Sequence, residues 1–145
     1  MENSFKLTEA TRRVLDAMAE MDIDAIYDVE SGDHIFIYKA IEMVVLASED
    51  EGWVCLSAEF VMDKYMDTIA ELWVDVLNKN GGGFVLSVPF PGVGRISKEW
   101  LIDWEKPLPA EELENMLEVM AGACRTVSHN LMEMRIPEED DYNWE

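Results

Sequence analysis

Residues 62–104, MDKYMDTIAELWVDVLNKNGGGFVLSVPFPGVGRISKEWLIDW, decide how the chain is arranged. Met66, Ile69, Ala70, Trp73 and Leu77 recur at helical spacing, with Tyr65, Leu72 and Val76 on one side of the stripe and Val74 on the other. At ~100° per residue the apolar arc spans roughly 200°, wider than packing on a single sheet requires. The pattern predicts a helix from Asp63, placed as an N-cap, to Asn80. Gly81-Gly82-Gly83 stops it, with Gly81 free to take the left-handed cap conformation. Phe84 to Phe90 and Arg95 to Glu105 then alternate as strands, separated by a turn rich in proline and glycine.

Working back towards the N-terminus, Leu7, Ala10, Val14, Ala17, Met18 and Met21 mark an amphipathic helix, with Ser4 or Thr8 as its cap. Ala25–Val29 is a short strand, Glu30–Asp33 is a turn by composition, and His34 is expected in a turn as well. Ile35–Tyr38 and Ile41–Ala47 are β-branched and aromatic. They are two strands, or one with a bulge at Lys39-Ala40. Trp53–Phe60 returns after an acidic loop, so the meander is antiparallel. Working forward, Pro109 opens a last helix whose stripe runs Leu113, Met116, Leu117, Met120, Cys124, Val127, Leu131, Met134. Pro137 ends it. The expected fold is α+β: helix, antiparallel strand meander, long helix, two strands, long helix, with helices packed on a bent antiparallel sheet. Residues 1–137 form one domain and residues 138–145 an acidic tail without regular structure.

The 145 residues carry a formal charge of -20, from 31 acidic and 11 basic side chains. A field of that sign repels nucleic acid and anionic membrane surfaces and favours cationic partners. No apolar run approaches the ~18 residues of a membrane span. The first residues, MENSFK, lack the pattern of a secretory signal, so the expected location is cytoplasmic.

Chemistry is sparse. Cys55 and Cys124 fall in apolar runs and are expected as buried thiols rather than a disulfide. Neither His34 nor His129 has a partner at zinc-ligand spacing. Gly92-Val93-Gly94-Arg95 lacks the lysine and hydroxyl of a phosphate loop. The acidic clusters do not follow calcium-loop spacing. No catalytic, metal or cofactor residue is assigned. The ten methionines serve as core filler, or as an adaptable apolar groove.

The order of elements resembles the bacterial YbjN family and the wider type III secretion chaperone-like fold. The resemblance covers about Leu7 to Leu131. It is carried by the meander ending in Trp53–Phe60, the helix end Leu77-Asn78-Lys79-Asn80, the strand Arg95–Trp104, and the opening Leu108-Pro109-Ala110-Glu111-Glu112-Leu113. It implies a small acidic bacterial protein that is not an enzyme, has a protein-binding or chaperone-like role, and often forms a homodimer.

Three functions compete. The first is a chaperone-like or adaptor module that binds another protein through apolar surface. The second is a regulatory dimer. The third is a small-molecule binder or enzyme. The interface candidates are Tyr65, Leu72, Trp73, Val76, Trp100, Leu101, Tyr142 and Trp144. The last two are aromatic residues flanked by acids, as suits a segment that enters a basic apolar groove.

Overall fold

Alternation along the middle strands sets the architecture. In Trp53–Val61 the side chains of Val54, Leu56, Ala58 and Phe60 are buried together, and Cys55 and Glu59 between them point the other way. The computed structural model describes residues 9–48, 51–63, 66–79 and 81–142. The elements are α1 (Glu9–Glu20), β1 (Ile26–Asp28), β2 (Asp33–Tyr38), β3 (Ile41–Ser48), β4 (Trp53–Val61), α2 (Asp67–Asn78), β5 (Val85–Phe90), β6 (Val93–Leu101), α3 (Ala110–Met132) and α4 (Glu139–Tyr142). The fold is α+β, with a six-stranded sheet in the order β1-β2-β3-β4-β6-β5, and every pairing is antiparallel.

The core lies between one face of this sheet and the helices. Phe36, Met43, Val45, Leu56, Ala58 and Ile96 from the sheet join Val14 and Met18 of α1, Trp73 of α2, and Leu113, Leu117, Met120 and Val127 of α3. α3 runs over β4 and β6, α1 over β3, and α2 over β5 and α3. The wide apolar arc of α2 is therefore used inside the chain, between the edge of the sheet and another helix.

Several local expectations change. Lys39 and Ala40 have φ of 49° and 68°, and Tyr38 pairs with Ile41. The ambiguous bulge is thus a two-residue hairpin with both central residues left-handed, which matches the right-handed twist of the strands. α2 starts at Asp67, with Met66 at its N-cap and no side-chain cap bond. Asp63 instead accepts the Met66 N–H at its backbone carbonyl. The proposed caps Ser4 and Thr8 lie outside the described residues. α3 ends at Met132 rather than running to Pro137: Met134 turns left-handed, with φ 52°, and the Arg135 N–H returns to the Asn130 carbonyl. That turn leaves Met134 exposed, off the buried stripe. His34 belongs to β2, not to a turn, because it pairs with Tyr27 and Val45 within the sheet.

After α2 the glycine run does more than break the helix. A Cβ on Gly82 would sit 2.4 Å from the Leu77 carbonyl oxygen. The Asn78 amide clamps the return, donating to Phe84 O at 2.8 Å and accepting from Phe84 N at 2.7 Å. Only a residue without a side chain passes so close to the helix end. At the other end, residues 139–142 form a single helical turn, where the sequence predicts no regular structure. Asp141 accepts the Glu138 N–H and pairs with Arg135 at 2.8 Å. The Arg135 guanidinium also donates to Asn130 Oδ1 and lies 4.9 Å over the Trp73 ring.

Candidate protein-binding face

The sheet has a second face that no helix among the described residues covers. Cross-strand register places its side chains in rows. One row reads Ile26, Ile35, Val44, Ser57, Ser97, Val85 across β1, β2, β3, β4, β6 and β5. The next reads Leu46, Cys55, Glu99 across β3, β4 and β6. Beyond it Trp53 faces Leu101. On the opposite side Ile37 faces Glu42, and Arg95 faces Glu59.

Together these rows draw a diagonal apolar band. It runs from Ile37, Ile35 and Ile26 past Val44, which is itself buried at 5% exposure, to Leu46, Trp53 and Leu101. Ile26 is 72% exposed, Ile37 66% and Leu101 88%. Large apolar side chains scattered over a surface are ordinary, but a contiguous band marks an interaction site. Carboxylates flank the band on both sides: Asp28 and Asp33, cross-strand partners, on one, and Glu42 and Glu99 on the other. Among the described residues none of these four is in an ion pair. The Arg95 cation on this face is held by Glu59 through Nε at 3.0 Å and a second guanidinium nitrogen at 2.5 Å. Ser57 and Ser97 bond each other at 2.8 Å, so the polar centre is self-satisfied. A groove of about 460 Å³ lined by Cys55, Val85, Ser97, Glu99 and Lys98, whose ammonium donates to the Gly82 carbonyl, extends the face towards β5.

A second apolar hollow, also about 460 Å³, lies where the end of β4 meets the end of α3. Met62, Met66, Met132 and Met134 line it with Val61. Met18, Met43, Met62 and Met120 thus fill the core, while Met66, Met132 and Met134 give this hollow an adaptable surface.

The interface candidates scatter. Trp73 and Val76 are buried within the chain. Leu72 is half-buried on α2. Trp100 and Leu101 lie on opposite faces of β6: Trp100 on the helix side beneath Lys98, whose Nζ is 5.2 Å from the ring, and Leu101 on the open face. Tyr65, Trp144 and the side chain of Tyr142 lie outside the described residues. Sequence reasoning missed Ile26, Ile37 and Leu46, which strand alternation marks but cannot assign to an open face. It also missed Arg135, a lone cation in an acidic stretch.

The geometry separates the reactive groups. His34 faces the helices and is buried, which lowers its pKa. Cys55 faces the open side and is half-buried rather than buried, and desolvation, then Glu99, raises its thiol pKa. Cys124 lies in the core against the Glu59 carbonyl, and burial pushes its pKa up to about 11. Raised values keep both thiols protonated and poorly nucleophilic. His34 and Cys55 thus lie on opposite faces of the one sheet. Among the described residues no group of three or more His, Cys, Asp or Glu could hold a metal ion, and no helix is long and apolar enough to cross a membrane. A further hollow of about 410 Å³ beside α1 contains Arg13, which already donates to the Trp104 carbonyl.

No protein-family model and no curated protein sequence matches this chain. Solved structures do. The crystal structure of the ExsC–ExsE complex contains a similar chain at 12% identity and TM-score 0.60, covering 83% of this chain and 91% of that one. An uncharacterized protein from Methanothermobacter thermautotrophicus is similar at 10% identity and TM-score 0.57, over 85% and 96% of the two chains. The HopA1–SchA chaperone–effector complex contains a chain at 16% identity, with a TM-score of 0.48 over 77% and 89%. At these identities the likeness is one of fold alone, the α+β order of elements described above.

Proposed function

We propose that this chain is a non-enzymatic, chaperone-like or adaptor module that binds another protein through apolar surface on an acidic background. The observation that carries this reading is the diagonal apolar band on the helix-free side of the sheet. The fold it shares with a chain of the ExsC–ExsE complex supports a role in protein association. Leu101, with the half-exposed Leu72, is the interface candidate that reaches the surface. The resemblance to the YbjN family and a cytoplasmic site of action belong to the same proposal.

The test places a photo-crosslinking amino acid at Leu101 or, as control, at the exposed His129 on α3, in cells that express the full chain. Crosslinks to a second protein at position 101 and not at 129 are expected. Equal or absent crosslinking at both positions counts against the reading. A homodimer is the second reading, favoured by the part-exposed Leu72, which lies off the core-packed side of α2. Sedimentation equilibrium at high micromolar concentration decides it, and a monomer mass there removes it.

A further inference from the structure

We propose that the helix-free face of the sheet takes a cationic amphipathic helix. The inference rests on the protein-binding reading and gives the partner its chemistry. Three observations lead to it.

The edges of the sheet are poor templates for strand addition. β1 has three residues. β5 contains Pro89, which has no N–H to donate, and its register shifts between Ser87 and Phe90. The attraction therefore lies in the face, and a sheet face is buried against another layer.

The shape of the apolar surface selects a helix. Ile37, Ile35, Leu46, Trp53 and Leu101, with the buried Val44 between the first two and the rest, cross the strands obliquely, from β2 to β6. An amphipathic helix about 10 Å wide covers an oblique strip of this kind with one stripe of side chains. A partner sheet would also bury the polar ground to either side, where Asp33 and Glu99 would lose water without gaining a partner.

The charge selects the sign. Asp28 and Asp33 border one side of the strip, and Glu42 and Glu99 the other, while Arg95 is already engaged by Glu59. Lysine or arginine flanking the apolar stripe of the incoming helix meets carboxylates on both sides. A second copy of this chain meets like charge at the same positions, which sets this face against self-association.

The test uses the full chain and three synthetic 18-residue peptides of matched length. The first has leucines at i, i+3, i+4 and i+7 spacing with flanking lysines. The second replaces the lysines with glutamates. The third scrambles the first. The lysine helix is expected to bind, to slow hydrogen exchange on β3, β4 and β6, and to weaken as salt rises. The glutamate helix is expected to bind at least about tenfold less tightly, and the scrambled peptide to give no protection of the face. Leu46→Ser with Leu101→Ser, both at exposed positions, should abolish the protection while leaving the circular dichroism unchanged. Asp33→Asn with Glu99→Gln should weaken binding about fivefold.

Equal binding of the lysine and glutamate helices, with the sheet face still protected, overturns the cationic partner and leaves the protein-binding reading standing. Protection confined to the helical side, or indifference to the double serine variant, overturns the inference. If Leu101 also gives no crosslink to another protein, the protein-binding reading falls with it.

Discussion

Trp73 joins three parts of the chain through one side chain. It is 2% exposed, its indole N–H donates to the Arg135 carbonyl at 2.8 Å, and the Arg135 guanidinium stacks over its ring. Trp73→Ala should destabilise the protein by about 3–5 kcal/mol in denaturant unfolding. A loss under about 1 kcal/mol would place the ring in solvent. Ala40 tests strain of the opposite kind. Its left-handed φ of 68° is a conformation glycine adopts without penalty. Ala40→Gly is therefore expected to stabilise the hairpin by roughly 0.5–1 kcal/mol, read as a higher urea midpoint at unchanged slope. His34 links stability to pH. Burial, only partly offset by the neighbouring Asp33, lowers its pKa from 6.5. The unfolded chain then binds a proton near pH 6.5, and the folded chain binds it only at lower pH. Stability is therefore lost as pH falls below about 6.5. His34→Gln should flatten that part of the profile between pH 7 and 5, and an unchanged slope would assign it to carboxylates.

At the scale of elements, the sequence shows what each segment is more clearly than which of its faces is covered. The alternation of Val54, Leu56, Ala58 and Phe60 shows a strand, and the arc around Trp73 shows a helix wedged between two neighbours. β2 and β3 are apolar on both faces: Phe36 and Tyr38 point to the helices, Ile35 and Ile37 away from them. Period-2 patterning cannot say which side stays open, and nothing in it places β6 between β4 and β5. That order depends on pairings between residues about 40 positions apart, such as Ala58 with Ile96. The end of α3 was hidden for another reason. Met134 continues the helical spacing, and its left-handed turn is set by tertiary contacts of Arg135, not by a glycine. The same contacts define α4. The Glu138 N–H, and after it Arg135, hold the Asp141 carboxyl below its ordinary pKa, so this tether is present above the usual carboxylate range and lost as pH falls through the lowered value. The tether is exposed. Deleting residues 138–145 should shift the thermal midpoint by no more than about 4 °C. Arg135→Ala, which also strips the stack from Trp73, should do more. Equal effects of the two changes would mean that Arg135 acts only through α4.

For the whole molecule the dominant fact is an excess of 20 negative charges on 145 residues. Few of them are neutralised locally. Among the described residues the ion pairs number five, and one of those requires a protonated histidine. The remaining carboxylates repel one another over the surface, which raises the free energy of the compact state more than that of the expanded chain. At low salt that repulsion reaches tens of ångströms; at 0.5 M it is screened within a few. The exposed ion pairs are weakened by the same salt, but each contributes little in water. Repulsion therefore dominates the response, and raising sodium chloride from 10 mM to 500 mM should raise the thermal midpoint. A fall would mean that attractive contacts outweigh the excess charge. The band on the open face gives the same titration a second reading, because a cationic helix is drawn to Asp28, Asp33, Glu42 and Glu99 by the field that salt removes. Stability should rise and affinity for the lysine helix should fall along a single salt series. Opposite slopes tie both properties to one charge distribution. Parallel slopes would mean that the helix is held by its apolar stripe alone.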